Sequence, residues 1–185
     1  ALVMSVELQF ESVPQVALWK VLLARKSGLK EGDTLSRVQA SVEGLAAQEW
    51  KAYQRVCGFP QSPWLPLTFP QVVATPLHLA MVTHPSFPLP AMGLVHARNR
   101  ITQYRPIAER EQLNIKCYLG NLTQVEKGYE FSIFTVVSTG GERVWASESV
   151  NFFRGGGSGV KADKGSRGTP EPVTDAIEWK VPGNT

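Results

Sequence analysis

The stretch LPLTFPQVVATPLHLAMVTHP, from Leu65 to Pro85, constrains this chain more than any other. Val72, Val73, Pro76, Leu77, Ala80 and Met81 recur at helical spacing. Apolar residues lie on nearly all sides of that helix, so it has to sit inside something larger. A proline costs about 3 kcal/mol in a helix interior and little in the first turn. With Thr75 as N-cap, the spacing predicts a short central helix from Pro76 to about Thr83, preceded by a separate turn or short helix. Pro85, Pro88 and Pro90 then force an extended connection around Phe87.

After Met92 the pattern changes to strands: 93–104, 113–122, 129–138 and 142–153. The breaks fall at Arg105-Pro106, Glu126-Lys127-Gly128 and Gly140-Gly141. Short breaks between long strands predict an antiparallel meander. Upstream, Val16, Leu18, Trp19, Leu22 and Leu23 predict a helix over 14–26. Val38, Ala40 and Val42 predict a half-buried strand over 37–43, and Trp50, Tyr53 and Val56 a second helix over 46–56. The order is α+β, and the simplest packing wraps the run of strands around the apolar helix.

Charge and composition exclude several classes. A net charge of +3, with its densest group at Arg98, Arg100 and Arg105, reads as a solvated face or an interface rather than a nucleic-acid surface. The alternative kept open is contact with the phosphates of a nucleotide-bearing thioester. Cys57 and Cys117 match no zinc or CxxC spacing and read as buried thiols in a reducing compartment. No stretch approaches the ~20 apolar residues of a membrane span, and 1–5 lacks the pattern of a signal peptide, so a cytoplasmic protein without membrane or nucleic-acid partners is expected. Gly155 to Pro172 holds six glycines and two prolines and reads as a flexible linker. Its Gly155–Gly159 run lacks the Gly-Lys-Ser/Thr close of a phosphate loop.

Four features together resemble the first half of MaoC-like acyl dehydratases. They are the segment from Leu65 to Ile107, Tyr53-Gln-Arg-Val-Cys-Gly58 before it, Gly93-Leu-Val-His96 opening a strand, and Val144-Trp145 followed by Phe152-Phe153-Arg154. The resemblance covers roughly residues 6 to 154. It implies a hot-dog fold, a curved antiparallel sheet around a central helix, with a domain over 1–154, the linker over 155–172, and a tail over 173–185. In that tail Ile177-Glu-Trp-Lys-Val-Pro182 resembles the entry of a second half. In the family the second half carries an Asp and a His five positions apart. Paired acid and base are what hydration of an enoyl thioester needs.

That dyad does not transfer. Five positions beyond Asp33, Asp163 and Asp175 lie Val38, Gly168 and Lys180, and none of His78, His84 or His96 has an Asp beside it. The resemblance therefore implies a non-catalytic N-terminal half with no catalytic residue, metal or cofactor of its own. It would frame an acyl-thioester pocket (on CoA or an acyl carrier protein) while a second hot-dog domain, from a partner or a missing half, supplies the dyad. The candidate substrate-binding residues are Leu77, His78, Met81, Met92, Gly93 and His96. Alternatives are a thioesterase of the same fold and a structural or regulatory subunit with a vestigial pocket. The plainer readings stand beside these. Leu77, Ala80 and Met81 are core first. His78 is a backbone-bonded histidine near a helix start, His96 a locally bonded strand residue and His84 an exposed turn residue. Cys57 is buried and inert, and a couple of His96 with Glu109 or Glu111 has no motif behind it.

Overall fold

The computed structural model describes residues 5–16, 26, 28–29, 35, 37–46 and 50–155. The helix expected over 14–26 falls largely outside them, as do the linker beyond Gly155, the tail and all three aspartates. Six strands form one sheet: β1 (Ser5–Phe10), β2 (Arg37–Ala46), β3 (Leu94–Gln103), β4 (Gln112–Val125), β5 (Gly128–Thr139) and β6 (Glu142–Arg154), in the order β1-β2-β4-β5-β6-β3. All neighbours are antiparallel except β1 and β2. Two helices are described, α1 (Trp50–Val56) and α2 (Phe69–Thr83). This is the α+β hot-dog arrangement, with α2 packed against β2, β4 and β5.

The sheet's inner face follows from the period of two. Val38, Ala40 and Val42 of β2, Leu113, Ile115 and Cys117 of β4, and Phe131, Ile133 and Val137 of β5 are buried at alternate positions. Ala74, Leu77 and Met81 of α2 are fully buried against them. Fully burying one large apolar side chain contributes roughly 1.5–3 kcal/mol, so this stripe anchors the helix. At one end of α2, Trp145 donates its indole N–H to the Leu67 carbonyl at 2.9 Å. The β5–β6 hairpin turns through Gly140 and Gly141, both at positive φ. The β4–β5 turn passes so close to β6 that a side chain at Gly128 would occupy the position of the Phe153 carbonyl.

Four expectations are corrected. First, α2 starts at Phe69 and runs through Pro76 without a break. Its start signal is Thr68-Phe69-Pro70, with Pro70 in the first turn. Thr75 is no cap, and its hydroxyl donates to the Gln71 carbonyl at 2.9 Å. The carbonyl orphaned by Pro76 belongs to Val72, four residues back. Val72 is 47% exposed, so water is at hand for that carbonyl.

Second, the strands after Met92 are not one meander. β3 pairs with β6 at the sheet edge, with β5 and β6 between it and β4. The link between β3 and β4 therefore crosses over. It is held by Arg105, whose guanidinium donates to both oxygens of Glu111 at 2.9 and 2.8 Å and to Glu142 at 2.9 Å. Those bonds hold the Glu111 carboxyl down at about 2.

Third, Cys57 is exposed. Spacing of three drifts around a helix of 3.6 residues per turn. The buried side of α1 follows Trp50 and Gln54, while Val56 is 87% exposed and the chain turns outward after it. Fourth, His84 is partly buried, with its Nδ1 2.7 Å from the Ser86 hydroxyl. In addition, Val6, Leu8 and Phe10 alternate along β1 and turn to its less exposed side.

Candidate functional site

The sheet bends around one flank of α2 and stands away from the other. Between that second flank and strands β3 and β6 lies an open cleft of about 380 Å³. Gln71, Thr75, His78, Leu79 and Val82 bring the helix wall. Their spacing of three and four puts them on one side of α2. Ser149 and Asn151 of β6 and Ile133 of β5 form the opposite wall, and Ala91, Leu94 and His96 close one end. The surface offered is mostly apolar, with a few polar groups at fixed points, the usual composition of a small-molecule site.

The polar groups are oriented by hydrogen bonds. Ser147 donates to Gln71 Oε1 at 2.7 Å. Ser149 donates to Asn99 Oδ1 at 3.2 Å, and Asn151 donates through Nδ2 to the Ser149 carbonyl at 3.0 Å. His78 sits in mid-helix, not at the helix start, and its partner is a side chain rather than backbone: Nε2 lies 2.7 Å from the Thr135 hydroxyl. Cys117 Sγ approaches the same hydroxyl at 3.5 Å. Burial drops the His78 imidazole to about 4, and the nearby His96 adds a smaller push in the same direction. Burial also pushes the Cys117 thiol up to about 12, against a weaker pull from Thr135. At neutral pH both groups are uncharged, so His78 is a weakly basic free imidazole and Cys117 an unreactive thiol.

A bulge between His96 and Arg98 decides where His96 goes. Strict alternation would put it beside Arg98 and Arg100 on the outer face. The extra residue shifts the phase, so His96 joins the cleft while Asn99 keeps its bond to Ser149. On the outer face Arg98 pairs with Glu130 at 3.0 Å, and Arg100 shares a shallow hollow with Glu148.

The six candidate residues therefore separate. His78 and His96 line the cleft. Leu77 and Met81 are fully buried on the other side of α2, in the core. Met92 and Gly93 lie in the exposed turn between Ala91 and Leu94 and do not line the cleft. Gln71, Thr75, Ser149 and Asn151 were missed. Their signal was present as polar residues on the inward faces of an otherwise apolar helix and strand. Glu111 is held by Arg105 and Glu109 pairs with Lys51 at 3.3 Å, so neither engages His96. Among the described residues no carboxylate lines the cleft. Among the described residues no three His, Cys, Asp or Glu side chains gather to hold a metal ion, and no described helix is long and apolar enough to cross a membrane.

No family model matches the chain. Over 94 residues it is 36% identical to 3-hydroxyacyl-thioester dehydratase X of Mycobacterium tuberculosis, covering 51% of this chain and 34% of that protein. Two crystal structures of HtdX from the same organism superpose on it. One has a TM-score of 0.58 and 31% identity over 63% of this chain and 51% of the other. The second has 0.60 and 30% over 72% and 55%. A crystal structure of the M. tuberculosis HadBC (3R-hydroxyacyl-ACP dehydratase) complex shares the fold, with a TM-score of 0.51 and 14% identity over 70% of this chain and 99% of the other. The chain thus spans about a third of the curated relative's length and about half of the solved HtdX chains. Fold and sequence converge: over the part it spans, the chain is a hot-dog homologue of HtdX.

Proposed function

We propose that this chain is the N-terminal, non-catalytic hot-dog half of an acyl-thioester dehydratase or hydratase. It frames the acyl chain while a second hot-dog domain, in the same chain or in a partner, supplies the acid/base dyad. The observation that carries this reading is the cleft itself. It is shaped and largely apolar, yet it holds no carboxylate among the described residues and so no Asp/His pair. Such a site can hold an acyl chain, and neither His78 nor His96 finds on its described lining the carboxylate partner that paired acid/base work needs.

The surface around the cleft supports a partner. β3 is an edge strand with residues 95–100 all exposed, and an edge of this length invites pairing. Val72 and Leu79 of α2, Met92 in the turn before β3 and Val95 of β3 are exposed apolar residues near the cleft. A second domain docked there would close the cleft and bring its own residues to it.

The test is hydration of crotonyl and longer enoyl thioesters, followed by loss of the conjugated-enoyl absorbance. The purified chain alone is expected to give no turnover, and addition of a hot-dog domain bearing the Asp/His pair is expected to give it. Robust hydration by the isolated chain would sink the reading, and release of free thiol would turn it towards a thioesterase.

A further inference from the structure

The strand register sets two polar stations at opposite ends of the cleft. At one end Gln71 of α2 receives the Ser147 hydroxyl at 2.7 Å. At the other, Asn151 stands opposite His96 across the β3–β6 ladder, and both line the cleft. From Ser147 to Asn151 the strand advances about 13 Å. On the helix wall, His78 lies about 10 Å beyond Gln71. That brings it towards the second station, near enough for the His96 ring to act on it. Between the stations the hydroxyl donors are used within the protein. Ser149 donates to Asn99 at 3.2 Å and Thr75 to the Gln71 carbonyl at 2.9 Å. Ile133, which pairs with Ser149, adds apolar surface at that level.

The two stations differ in kind. Gln71 accepts through Oε1 and keeps its NH2 donor without a partner among the described residues. Asn151 donates through Nδ2 to the Ser149 carbonyl and keeps its Oδ1 acceptor. The His96 ring beside it makes no hydrogen bond to another described residue. Cross-strand neighbours hold their Cβ atoms about 4.5–5.5 Å apart, so one small group can meet both. The first station thus offers a donor, and the second an acceptor with an imidazole that donates or accepts. A thioester carbonyl only accepts, so it matches Gln71. A hydroxyl donates and accepts, so it matches Asn151 and His96. No Asp, Glu, Lys or Arg among the described residues lines the cleft, so a charged terminus would lose water without gaining a counter-ion. An extended carbon chain, with bonds of about 1.5 Å at about 111°, advances about 1.25 Å per bond. A span of about 13 Å therefore corresponds to about ten bonds.

We propose that the cleft selects an acyl thioester whose chain carries a hydroxyl about ten bonds beyond the carbonyl, with the carbonyl at Gln71 and the hydroxyl between His96 and Asn151. The stretch between them lies past Ile133, and Val82, Ala91 and Leu94 surround the hydroxyl end with apolar surface. This rests on the reading of the cleft as an acyl-thioester site.

The experiment is calorimetric titration of the full chain with saturated acyl-pantetheines of six, eight, ten and twelve carbons, each with and without a terminal hydroxyl. No hydration competes. The readout is the ratio of the two affinities at each length. It is expected to peak at ten carbons, at about tenfold in favour of the hydroxyl. At six carbons the hydroxyl reaches only the Ser149 level, and the ratio is expected to lie near one. In His96→Leu, a change at an exposed position, the peak is expected to vanish. In Gln71→Leu both ligands of a pair are expected to weaken together, by about threefold or more, and the peak to remain. His96→Leu carries the test alone if Gln71→Leu, which leaves the Ser147 hydroxyl without its acceptor, prevents folding. A ratio that does not vary with length, or a peak that survives His96→Leu or disappears in a folded Gln71→Leu, overturns the two-ended selection and leaves the acyl-framing reading standing. No binding of any ligand at millimolar concentration overturns both.

Discussion

The two flanks of α2 share one backbone and one neighbourhood, yet they do opposite things. On one flank Ala74, Leu77 and Met81 press into β2, β4 and β5 and exclude water completely. On the other, Gln71, Thr75, His78 and Leu79 face an open cleft bounded by β6 and β3. The first flank is where folding free energy is gathered, because apolar burial is the dominant favourable contribution. The second forgoes that burial, and it keeps polar groups on inward-facing positions of β6 where a domain built only for stability would place Val or Ile. The difference teaches where to look for chemistry in such a fold: in the part of the interior left unfilled.

The comparison can be broken most easily from the filled side. Leu77→Ala is expected to lower stability by about 2–5 kcal/mol, since it removes a large buried side chain and leaves a cavity. Denaturant unfolding measures this. A change at Leu77 no larger than one at Gln71 would erase the distinction between the flanks.

Acid is expected to act on the cleft flank. The ordinary histidine value near 6.5 applies to the unfolded chain, and the folded His78 lies at about 4. The folded state therefore favours neutral imidazole. The contribution is fully present above about pH 6.5, is lost as pH falls towards 4, and changes no further below that. The whole effect is on the order of 3 kcal/mol. Melting curves across that window should show the loss in the parent and a flatter profile in His78→Gln.

A smaller effect is expected from Thr135→Val. It keeps the shape beside Cys117 but deprives the His78 ring of its partner, at a cost of about 1–3 kcal/mol. A neutral result would mean that water replaces the hydroxyl and that the cleft reaches deeper than its walls suggest.

How much of this was legible in the sequence follows from the same contrast. The long strands β4, β5 and β6 were readable because their alternation reflects a sheet with one face fully buried. The central helix was readable for its apolar content, but its start was misplaced by one turn or more. Two Thr-x-Pro and Thr-Pro signals, at 68–70 and 75–76, compete for the same role; the helix starts at the first and runs through the second, where Val72, four residues back, is exposed. Exposure is a tertiary fact. The pairing of β3 with β6 rather than β4 was equally hidden, since short breaks suggest hairpins and nothing local announces a crossover. In the site, His78 and His96 stood out by residue type. Gln71, Ser149 and Asn151 did not, because an amide or hydroxyl becomes informative only once the inward face is known. His96 reaches the cleft through a one-residue bulge, which no alternation rule anticipates.

The crossover has a consequence in time as well as in space. β3 is made before β4, β5 and β6, but the strand it pairs with, β6, is the last of the described strands to be made. Some forty residues separate Gln103 from its partner Trp145, and pairing at that range is slow because loop closure must be met before any contact rewards it. The β4–β5–β6 hairpins, closed by local turns, are therefore expected to form before β3 finds β6. The Arg105 clasp, which joins the β3–β4 link to Glu142 at the start of β6, can close only when that last strand has arrived. The wall of the cleft that β3 and β6 share is thus the final part of the sheet to exist, and a chain interrupted before residue 142 would hold its central helix without the site.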